Sequence, residues 1–365
     1  MALDTPAVAG LMMAKPTKEN AILVRSPNWV GDAVMALPFF DALRRAAPDA
    51  TISCLCPAGI APLYRDVPTI DRVLILDELY GPRGRKSVLY NGRRMRPGMF
   101  RTAFILPTSF GSALMMWHAW IPERIGYSSE GRRLLLSKAK PYKKDGKRPH
   151  RVEGYLELLR LQYPDADINP VFYYTPGENA QIRATETLED YSLEDSKTIL
   201  AMAPAAAQAN KMWMQGRFAE IARRWCETTG GHVMLLGSPG DRQLCDQVLM
   251  LSKCDDVVNL AGESDLPTAG ELVRRSAAFV GNDSGLAHLA AAVKANAVVL
   301  SGPGDPEEVG PYSNVAITIK HPLFCAPCYK NECWRTDKPI ECLTEIDTDQ
   351  VWTALQRFIP DTEAS

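Results

Sequence analysis

The sequence predicts an α/β protein with two Rossmann-like, doubly wound parallel-sheet domains and a cleft between them. Three observations support this prediction. Short apolar runs alternate with helix-forming segments, the alternation occurs once in each half, and 365 residues suffice for two ordinary domains. Segments that alternate in this way form parallel sheets covered by helices on both faces. No run of eighteen apolar residues is present, so no membrane-spanning helix is expected.

The first half begins with a tail at residues 1–20, which lacks the pattern of a secretory signal because its lysines follow its apolar part. The first strand is predicted at 21–26, and a helix with apolar spacing follows at 32–47. Further strands are predicted at 51–56, 72–76 and 102–106. We expect these elements to form a first domain over residues 21–175.

The second half is separated from the first by a linker at 169–196, which is rich in Asp, Glu, Thr and Pro and contains a short helix at 180–188. A second domain is expected over 190–346. A C-terminal helix within 347–365, at 349–358, is expected to pack back toward the first domain. The predicted strands are 198–202, 232–236, 257–260, 277–280 and 297–300, and the predicted helices are 217–228, 241–251, 266–276 and 286–293.

The charge of the chain is unevenly distributed. Its net charge is −2, yet residues 83–151 carry 17 Lys and Arg against three acids. Such an excess indicates a polyanionic partner, for which nucleic acid, anionic lipid and a phosphorylated glycolipid are alternatives. A solvated loop with scattered charge is the simpler interpretation. Nucleic acid is the least favoured partner, because the segment contains no recognisable nucleic-acid-binding motif.

The segment 277–293 has the pattern of a phosphate site. An apolar strand ends in Gly281-Asn-Asp-Ser-Gly285, and a helix follows at once. A helix start presents free N–H groups and a positive dipole end, which together bind phosphate. Asp283 could accept sugar hydroxyls there, and His288 adds an imidazole. The alternative is an ordinary helix cap, because Asn, Asp and Ser commonly precede helices.

Two further charged residues follow predicted strands. Asp32 stands at the start of the first helix, where a carboxylate facing the cleft could remove a proton from a hydroxyl group. The alternative is again a capping role. Lys211, in the loop after the strand at 198–202, could neutralise a diphosphate, although most loop lysines are simply solvated. Neither a GxGxxG nor a GxxxxGK[ST] motif is present.

The nine cysteines, without a secretory signal, suggest a reducing compartment. Cys325, Cys328, Cys333 and Cys342 form a CxxC-x4-C-x8-C pattern, which could bind a structural zinc ion. The irregular spacing makes free or redox-labile thiols the favoured interpretation, and no cofactor is expected. No two of the five histidines have ligand spacing, so a catalytic metal is not expected.

Several ordered segments together resemble one family, the ADP-heptose–lipopolysaccharide heptosyltransferases of glycosyltransferase family 9, and within it the heptosyltransferase II type. Each segment is modest alone, but the ordered set covers about residues 21–346. The matching segments are 23–38 (LVRSPNWVGDAVMALP), 105–110 (ILPTSF), 124–127 (RIGY), 281–288 (GNDSGLAH), 301–306 (SGPGDP) and the cysteine run from Cys325.

The resemblance implies a GT-B architecture and metal-independent, inverting transfer of heptose from ADP-heptose to the inner core of lipopolysaccharide. It also implies a cytoplasmic enzyme that works on the anionic inner face of the membrane, which is consistent with the basic segment. By the same resemblance Asp32 is the general base. The donor-binding residues are Lys211, Asn282, Asp283, Ser284, Gly285 and His288, and the acceptor-binding candidates are Asn28, Trp29 and Arg124. His150, which opens a predicted helix, is a further acceptor-binding candidate, although an ordinary surface histidine is the commoner case at a helix start.

The lysine loop departs from the family pattern. Family members usually continue after the lysine with Arg-Trp-Pro, whereas this chain has Met212-Trp-Met214. The identity of the donor sugar is therefore open. The segment 84–96 also departs from the family, so the acceptor need not be the usual inner core. Two alternatives remain: another GT-B glycosyltransferase or nucleotide-sugar epimerase, and a sugar-nucleotide-binding protein without catalytic activity.

Overall fold

The computed structural model describes residues 20–79, 81, 84–98, 100–142, 148–194 and 198–359. The predicted tail at 1–19 lies outside these residues. Two parallel sheets of six strands each are present, which confirms the α/β prediction with two doubly wound domains. None of the helices in the described ranges is long and apolar enough to cross a bilayer.

The first sheet and its helices occupy the N-terminal half. The strands are β1 (Ala21–Arg25), β2 (Thr51–Cys56), β3 (Arg72–Ile75), β4 (Thr102–Ile105), β5 (Glu123–Tyr127) and β6 (Lys138–Lys140). The helices are α1 (Val30–Met35), α2 (Leu37–Ala46), α3 (Ala61–Arg65), α4 (Arg85–Met95), α5 (Phe110–His118) and α6 (Arg151–Leu159). Helix α7 (Glu178–Asp190) follows and packs on a helix of the second half.

The second sheet and its helices occupy the C-terminal half. The strands are β7 (Ile199–Ala203), β8 (His232–Leu235), β9 (Val257–Asn259), β10 (Ala278–Asn282), β11 (Ala297–Ser301) and β12 (Ala316–Lys320). The helices are α8 (Gln215–Thr229), α9 (Arg242–Ser252), α10 (Leu266–Arg275), α11 (Gly285–Ala292), α12 (Pro306–Val309), α13 (Glu341–Thr344) and α14 (Thr348–Gln356).

The two sheets have the same topology. Their strand orders are β3-β2-β1-β4-β5-β6 and β12-β11-β10-β7-β8-β9, so each is a 3-2-1-4-5-6 sheet. In such sheets ligands bind beyond the carboxyl ends of the strands where the order reverses. The reversal lies between β1 and β4 in the first sheet and between β7 and β10 in the second. The loops after β1, β7 and β10 therefore carry the expected site.

The strands missing from the sequence prediction lack an apolar run or lie at an edge. Strand β6 reads Lys-Ala-Lys, and β5 contains Glu123 and Arg124. Strand β12 is an edge strand of the second sheet, next to β11, and is only partly buried. These strands pair through their backbones with a buried neighbour, so hydrophobic pattern alone does not reveal them.

The helix predicted at 32–47 is two helices in the structure. Helix α1 begins at Val30 and ends at Met35, and α2 begins at Leu37 with Pro38 in its first turn. Proline has no backbone N–H to donate and is tolerated only in a first helical turn. The break leaves α1 as a short, separate helix whose first turn carries Asp32.

The inner faces of both sheets share one core. A single buried cluster includes Phe39 of α2, Leu156 of α6, Leu272 of α10 and Leu289 of α11. The outer face of each sheet has its own cluster, under α4 and α5 in the first domain and under α8 and α14 in the second. The domain limits 21–175 and 190–346 stay predictions, with each sheet falling inside one of them.

The C-terminal helix corrects one expectation. Helix α14 packs on α8, β11 and β12, and Val351 and Leu355 belong to the outer core of the second domain. Asp349 also pairs with Arg224 of α8. The prediction that this helix packs toward the first domain is therefore wrong, because its apolar face completes the outer layer of the second sheet.

Candidate active site

Two short helices meet where the inner faces of the domains approach each other. Helices α1 and α11 touch at their first turns. A Cβ atom on Gly31 would lie 2.6 Å from Cδ2 of His288, and one on Gly285 would lie 2.7 Å from Val30. The two glycines allow this approach because they have no side chain. Two positive helix ends, each with unpaired N–H groups, therefore lie side by side.

Asp32 lies in the first turn of α1, and about a quarter of its side chain is exposed. Its Oδ1 is 3.4 Å from Nε of Arg151, the first residue of α6. Among the residues that the structure describes, Nε of Arg151 nevertheless has no hydrogen-bond partner, so the two groups attract each other as charges without a directed hydrogen bond. The carboxylate oxygens of Asp32 thus keep lone pairs that can accept a proton from another group.

Asp283 is the centre of a second charged group, at the end of β10. Its Oδ2 accepts a hydrogen bond of 2.7 Å from Nζ of Lys211, and its Oδ1 lies 3.5 Å from Nε2 of His288. Burial alone would raise the pKa of Asp283, but His288 and the Lys211 ammonium outweigh it and lower the pKa to about 2. Asp283 is therefore an anion that holds Lys211 and His288 in place.

One ring nitrogen of His288 forms no hydrogen bond with the described residues. Its side chain is buried against Gly31, and its Nε2 is directed to Asp283. Its Nδ1 is also buried and lacks a hydrogen-bond partner within the described residues. A buried polar atom without a partner costs free energy and commonly marks a functional position.

Asn282, Ser284 and Gly285 differ in what they offer a ligand. Asn282 is fully buried: its Oδ1 accepts from N–H of Trp213 at 2.9 Å, and its Nδ2 donates to O of Pro204 at 2.7 Å. Its side chain therefore supports the Lys211 loop, with Oδ1 and one N–H of Nδ2 each bonded to the backbone. Ser284 is the N-cap of α11, but its hydroxyl caps no backbone N–H, and Gly285 opens the helix.

The acceptor-side candidates are not all brought together. Asn28 and Trp29 lie exposed in the loop between β1 and α1, with Trp29 at 53% exposure, beside Asp32. Arg124 lies at the amino end of β5, on the edge of the sheet opposite this loop. Its guanidinium donates to backbone carbonyls of Leu135, Pro122 and Ile121. Arg124 therefore supports its own domain, and its predicted position near the acceptor is corrected.

His150 links the two domains through both of its ring nitrogens. As the N-cap of α6, its Nδ1 accepts from N–H of Val152 at 3.2 Å, and its Nε2 lies 3.0 Å from O of Gly310. Because Nδ1 accepts, the proton is assigned to Nε2, which donates to Gly310. Both nitrogens are thus used by the backbone, and His150 acts as a tie between the domains instead of an acceptor ligand.

This tie is expected to weaken in mild acid. Burial lowers the pKa of His150 below its usual 6.5, so the folded protein favours the neutral ring. The contribution of about 1 kcal/mol is present above pH 6.5 and is lost as the pH falls from 6.5 through the lowered pKa. His150→Asn keeps a capping side chain that does not titrate. Denaturant unfolding at pH 7.5 and pH 5 should show the stability difference between wild type and variant shrinking in acid; a constant difference would contradict this role.

Arg151 is the functional candidate that the sequence analysis missed. Besides pairing with Asp32, it lies with its guanidinium 5.8 Å from the ring centre of Tyr142. The sequence did contain a signal for Arg151, which is a cation in the first turn of a helix. Such a cation opposes the helix dipole and needs a compensating partner. Arg25 is a second cation near the site that the sequence analysis missed. It is 4% exposed in an otherwise apolar strand, and its guanidinium donates to Oδ1 of Asn28.

The basic segment is only partly a free surface. Arg132 is fully buried and donates to carbonyls of Tyr127, Pro107 and Ser109. Lys140 pairs with Glu157, and Arg148 lies 3.8 Å from Glu308 of the second domain. Exposed positive charge remains on α4, at Arg85, Lys86 and Arg93, whereas the exposed Arg94 pairs with Asp77 at 3.2 Å. The surplus of basic residues therefore both stabilises the first domain and charges one of its helices.

The four late cysteines lie together in the second domain. They line one cavity of about 20 Å³, and all four are free thiols. Burial and the other three cysteines raise the pKa of Cys342 to about 11. The segment that carries these cysteines also supports the loop of Lys211. Nδ2 of Asn210, in that loop, donates a hydrogen bond of 2.7 Å to O of Lys330, in the cysteine segment. Whether these thiols hold a zinc ion stays a matter of prediction.

Two Rossmann-like domains that meet through α1 and α11 have the GT-B architecture. Residues 89–338 match the model of glycosyltransferase family 9 (heptosyltransferase). The chain belongs to glycosyltransferase family 9, which confirms the resemblance seen in the sequence.

Three similar proteins illustrate the match. Lipopolysaccharide heptosyltransferase 2 of Salmonella typhimurium is 30% identical over 311 residues, which cover 82% of this chain and 87% of the relative. The solved structure of Escherichia coli ADP-heptose LPS heptosyltransferase II has a TM-score of 0.77 at 27% identity and covers 94% of this chain and all of that one. A family 9 glycosyltransferase from Veillonella parvula has a TM-score of 0.81 at 20% identity, with coverage of 93% and 97%, and shows the same fold.

Proposed function

We propose that this protein transfers heptose, with inversion, from ADP-heptose to a sugar hydroxyl of the inner core of lipopolysaccharide. The observation that carries the proposal is the placement of Asp32 on α1 and of the Lys211–Asp283–His288 group around the start of α11, where these two helices meet between the domains. The relatives named heptosyltransferase 2 support the donor and the acceptor class. The heptosyltransferase II step is the finer part of this proposal.

The proposed reaction assigns one role to each side of the contact. A hydroxyl oxygen of the acceptor attacks the anomeric carbon of the heptose, and Asp32 takes the hydroxyl proton. The bond from the anomeric carbon to the diphosphate oxygen breaks, and ADP leaves with that electron pair. The Lys211 ammonium and the N–H groups at the start of α11 stabilise the negative charge that develops on the diphosphate.

The charge state of the Lys211 group suits this task. The low pKa of Asp283 keeps a fixed anion beside Lys211, so the lysine is held at 2.7 Å before the donor arrives. Such pre-organisation reduces the reorganisation that the site needs during the reaction. The unpartnered Nδ1 of His288 is a further group for the donor or the sugar that it carries. Lys211 and His288 would offset the negative charge of the diphosphate, and we therefore propose that transfer requires no metal ion.

The acceptor side is proposed around the loop after β1. Asn28 and Trp29 are exposed there and adjoin Asp32, and an aromatic ring next to amide groups suits a sugar. The acceptor is an anionic glycolipid, which the exposed basic residues of α4 could attract at a distance. On this proposal the enzyme works at the inner face of the cytoplasmic membrane, where anionic lipids are available.

The experiment that tests the function is ADP release from ADP-heptose with heptose-deficient lipopolysaccharide core as acceptor. We expect release that depends on the acceptor and persists in the presence of a chelator. A UDP-sugar in place of ADP-heptose should give none. Donor binding without transfer to any core acceptor would contradict the proposal and favour a binding protein, and turnover of a UDP-sugar alone would favour a different glycosyltransferase or an epimerase.

A further inference from the structure

A second cluster of reactive side chains lies at the far end of the second domain. Cys226 stands in the last turn of α8, and Cys254 and Asp256 lie in the loop between α9 and β9. Lys253 adopts a left-handed conformation at the end of α9, which turns the chain so that Cys254 returns toward α8. All three residues adjoin the amino ends of β8 and β9, so the cluster is at the opposite edge of the sheet from Asp283.

The geometry of this cluster is that of a ligand set. One atom from each of Cys226, Cys254 and Asp256 can be chosen so that all three lie within 4.8 Å of one another. Among the described residues no other group of three cysteine, histidine or acidic side chains meets this condition. His232, the first residue of β8, places its Nε2 3.7 Å from Oδ1 of Asp256. Two sulfurs and a carboxylate thus converge on one position, and an imidazole adjoins the carboxylate.

We propose that Cys226, Cys254 and Asp256 bind a zinc-like divalent cation, with His232 beside Asp256 at the edge of the site. Zinc takes thiolate, imidazole and carboxylate ligands in tetrahedral geometry, at about 2.0 to 2.3 Å. Ligand atoms around such an ion lie about 3.3 to 3.8 Å apart. The cluster therefore needs side-chain movements of about 1 Å, which the partly exposed Cys254 and the exposed Asp256 allow.

The bound ion would act as a clip within the second domain. It would join the end of α8 to the loop before β9, where N–H of Val233 already donates to O of Asp256 at 2.9 Å. An ion that binds the folded protein and not the unfolded chain stabilises the fold by mass action. Because the cluster lies away from α1 and α11, the ion contributes to stability and takes no part in the transfer reaction.

Cobalt binding to the full chain tests this proposal. Reduced, chelator-treated protein is titrated with Co²⁺, whose visible absorption reports tetrahedral coordination by sulfur. We expect saturation near one equivalent for the wild type and loss of the absorption in Cys254→Ala. Cys245→Ala is the matched control, since Cys245 is a free thiol of α9 outside the cluster, and it should keep the wild-type spectrum.

A variant that retains both thiols separates ligation from folding. Asp256 is exposed, so Asp256→Asn is expected to fold normally and to weaken Co²⁺ binding about tenfold or more. Zinc should raise the melting temperature of the wild type and of Cys245→Ala but not that of Cys254→Ala. Absorption that persists in Cys254→Ala and disappears in Cys328→Ala would place the ion at the four late cysteines and overturn the proposal, as would no absorption in the wild type.

Discussion

Replacing Asp32 with asparagine is expected to reduce turnover by about 10²- to 10⁴-fold, because the amide cannot accept the proton of the acceptor hydroxyl. The fold should persist, since asparagine has the same shape and Asp32 makes no hydrogen bond to Arg151 that the change would break. Initial rates of ADP release measure the loss, and calorimetry with ADP-heptose should show donor affinity close to that of the wild type.

Asp349 provides a matched control for this prediction. Like Asp32 it is an acid in the first turn of a helix and pairs with an arginine, but it lies on α14 at the outer face of the second domain. Asp349→Asn should leave turnover unchanged. Near-normal turnover in Asp32→Asn would show that the carboxylate is not the base, and a loss in both variants would trace the effect to helix stability instead of chemistry.

Replacing Lys211 with methionine is expected to affect both stability and catalysis. The buried carboxylate of Asp283 would lose its closest cation, and breaking a buried pair in this way costs about 3 kcal/mol. Loss of the ammonium that faces the diphosphate should also slow transfer by about 10²- to 10³-fold. Denaturant unfolding measures the first effect, and ADP release measures the second.

The double variant Lys211→Met, Asp283→Asn separates these two effects. Removing the carboxylate charge should recover much of the lost stability, because the buried anion is no longer left without a partner. Turnover should stay low, because the double variant still lacks the ammonium. If the double variant regained both stability and activity, Lys211 would serve the fold alone, and its proposed contact with the donor diphosphate would be excluded.

The sequence predicted the residues that follow the central strands and missed those that arrive from elsewhere. Asp32, Lys211, Asp283 and His288 lie in the loops or first helical turns that follow buried apolar runs, and parallel topology brings such positions to one edge of a sheet. The pairing of Arg151 with Asp32 depends on how α6 packs beside α1, which a local pattern does not encode.

The sequence also could not predict which polar side chains form hydrogen bonds with backbone groups. His150 and Asn282 belong to segments with a functional pattern, yet their polar atoms bind backbone groups of Gly310, Trp213 and Pro204. Such hydrogen bonds join residues up to 160 positions apart, so only the folded chain reveals that these side chains are already committed. Arg124 differs, because its carbonyl acceptors Pro122 and Leu135 are only 2 and 11 positions away, and only the folded chain shows that its guanidinium turns back to them.

The core shared by the inner faces of the two sheets makes the halves interdependent. Leu156 and Leu289 belong to the same buried cluster although they come from different domains. Excising either half would expose that apolar face to water, at a cost that grows with the area uncovered. A chimera that combines the donor half of one family member with the acceptor half of another must therefore exchange the contacting residues of α1 and α11 together with the chemistry it aims to transplant.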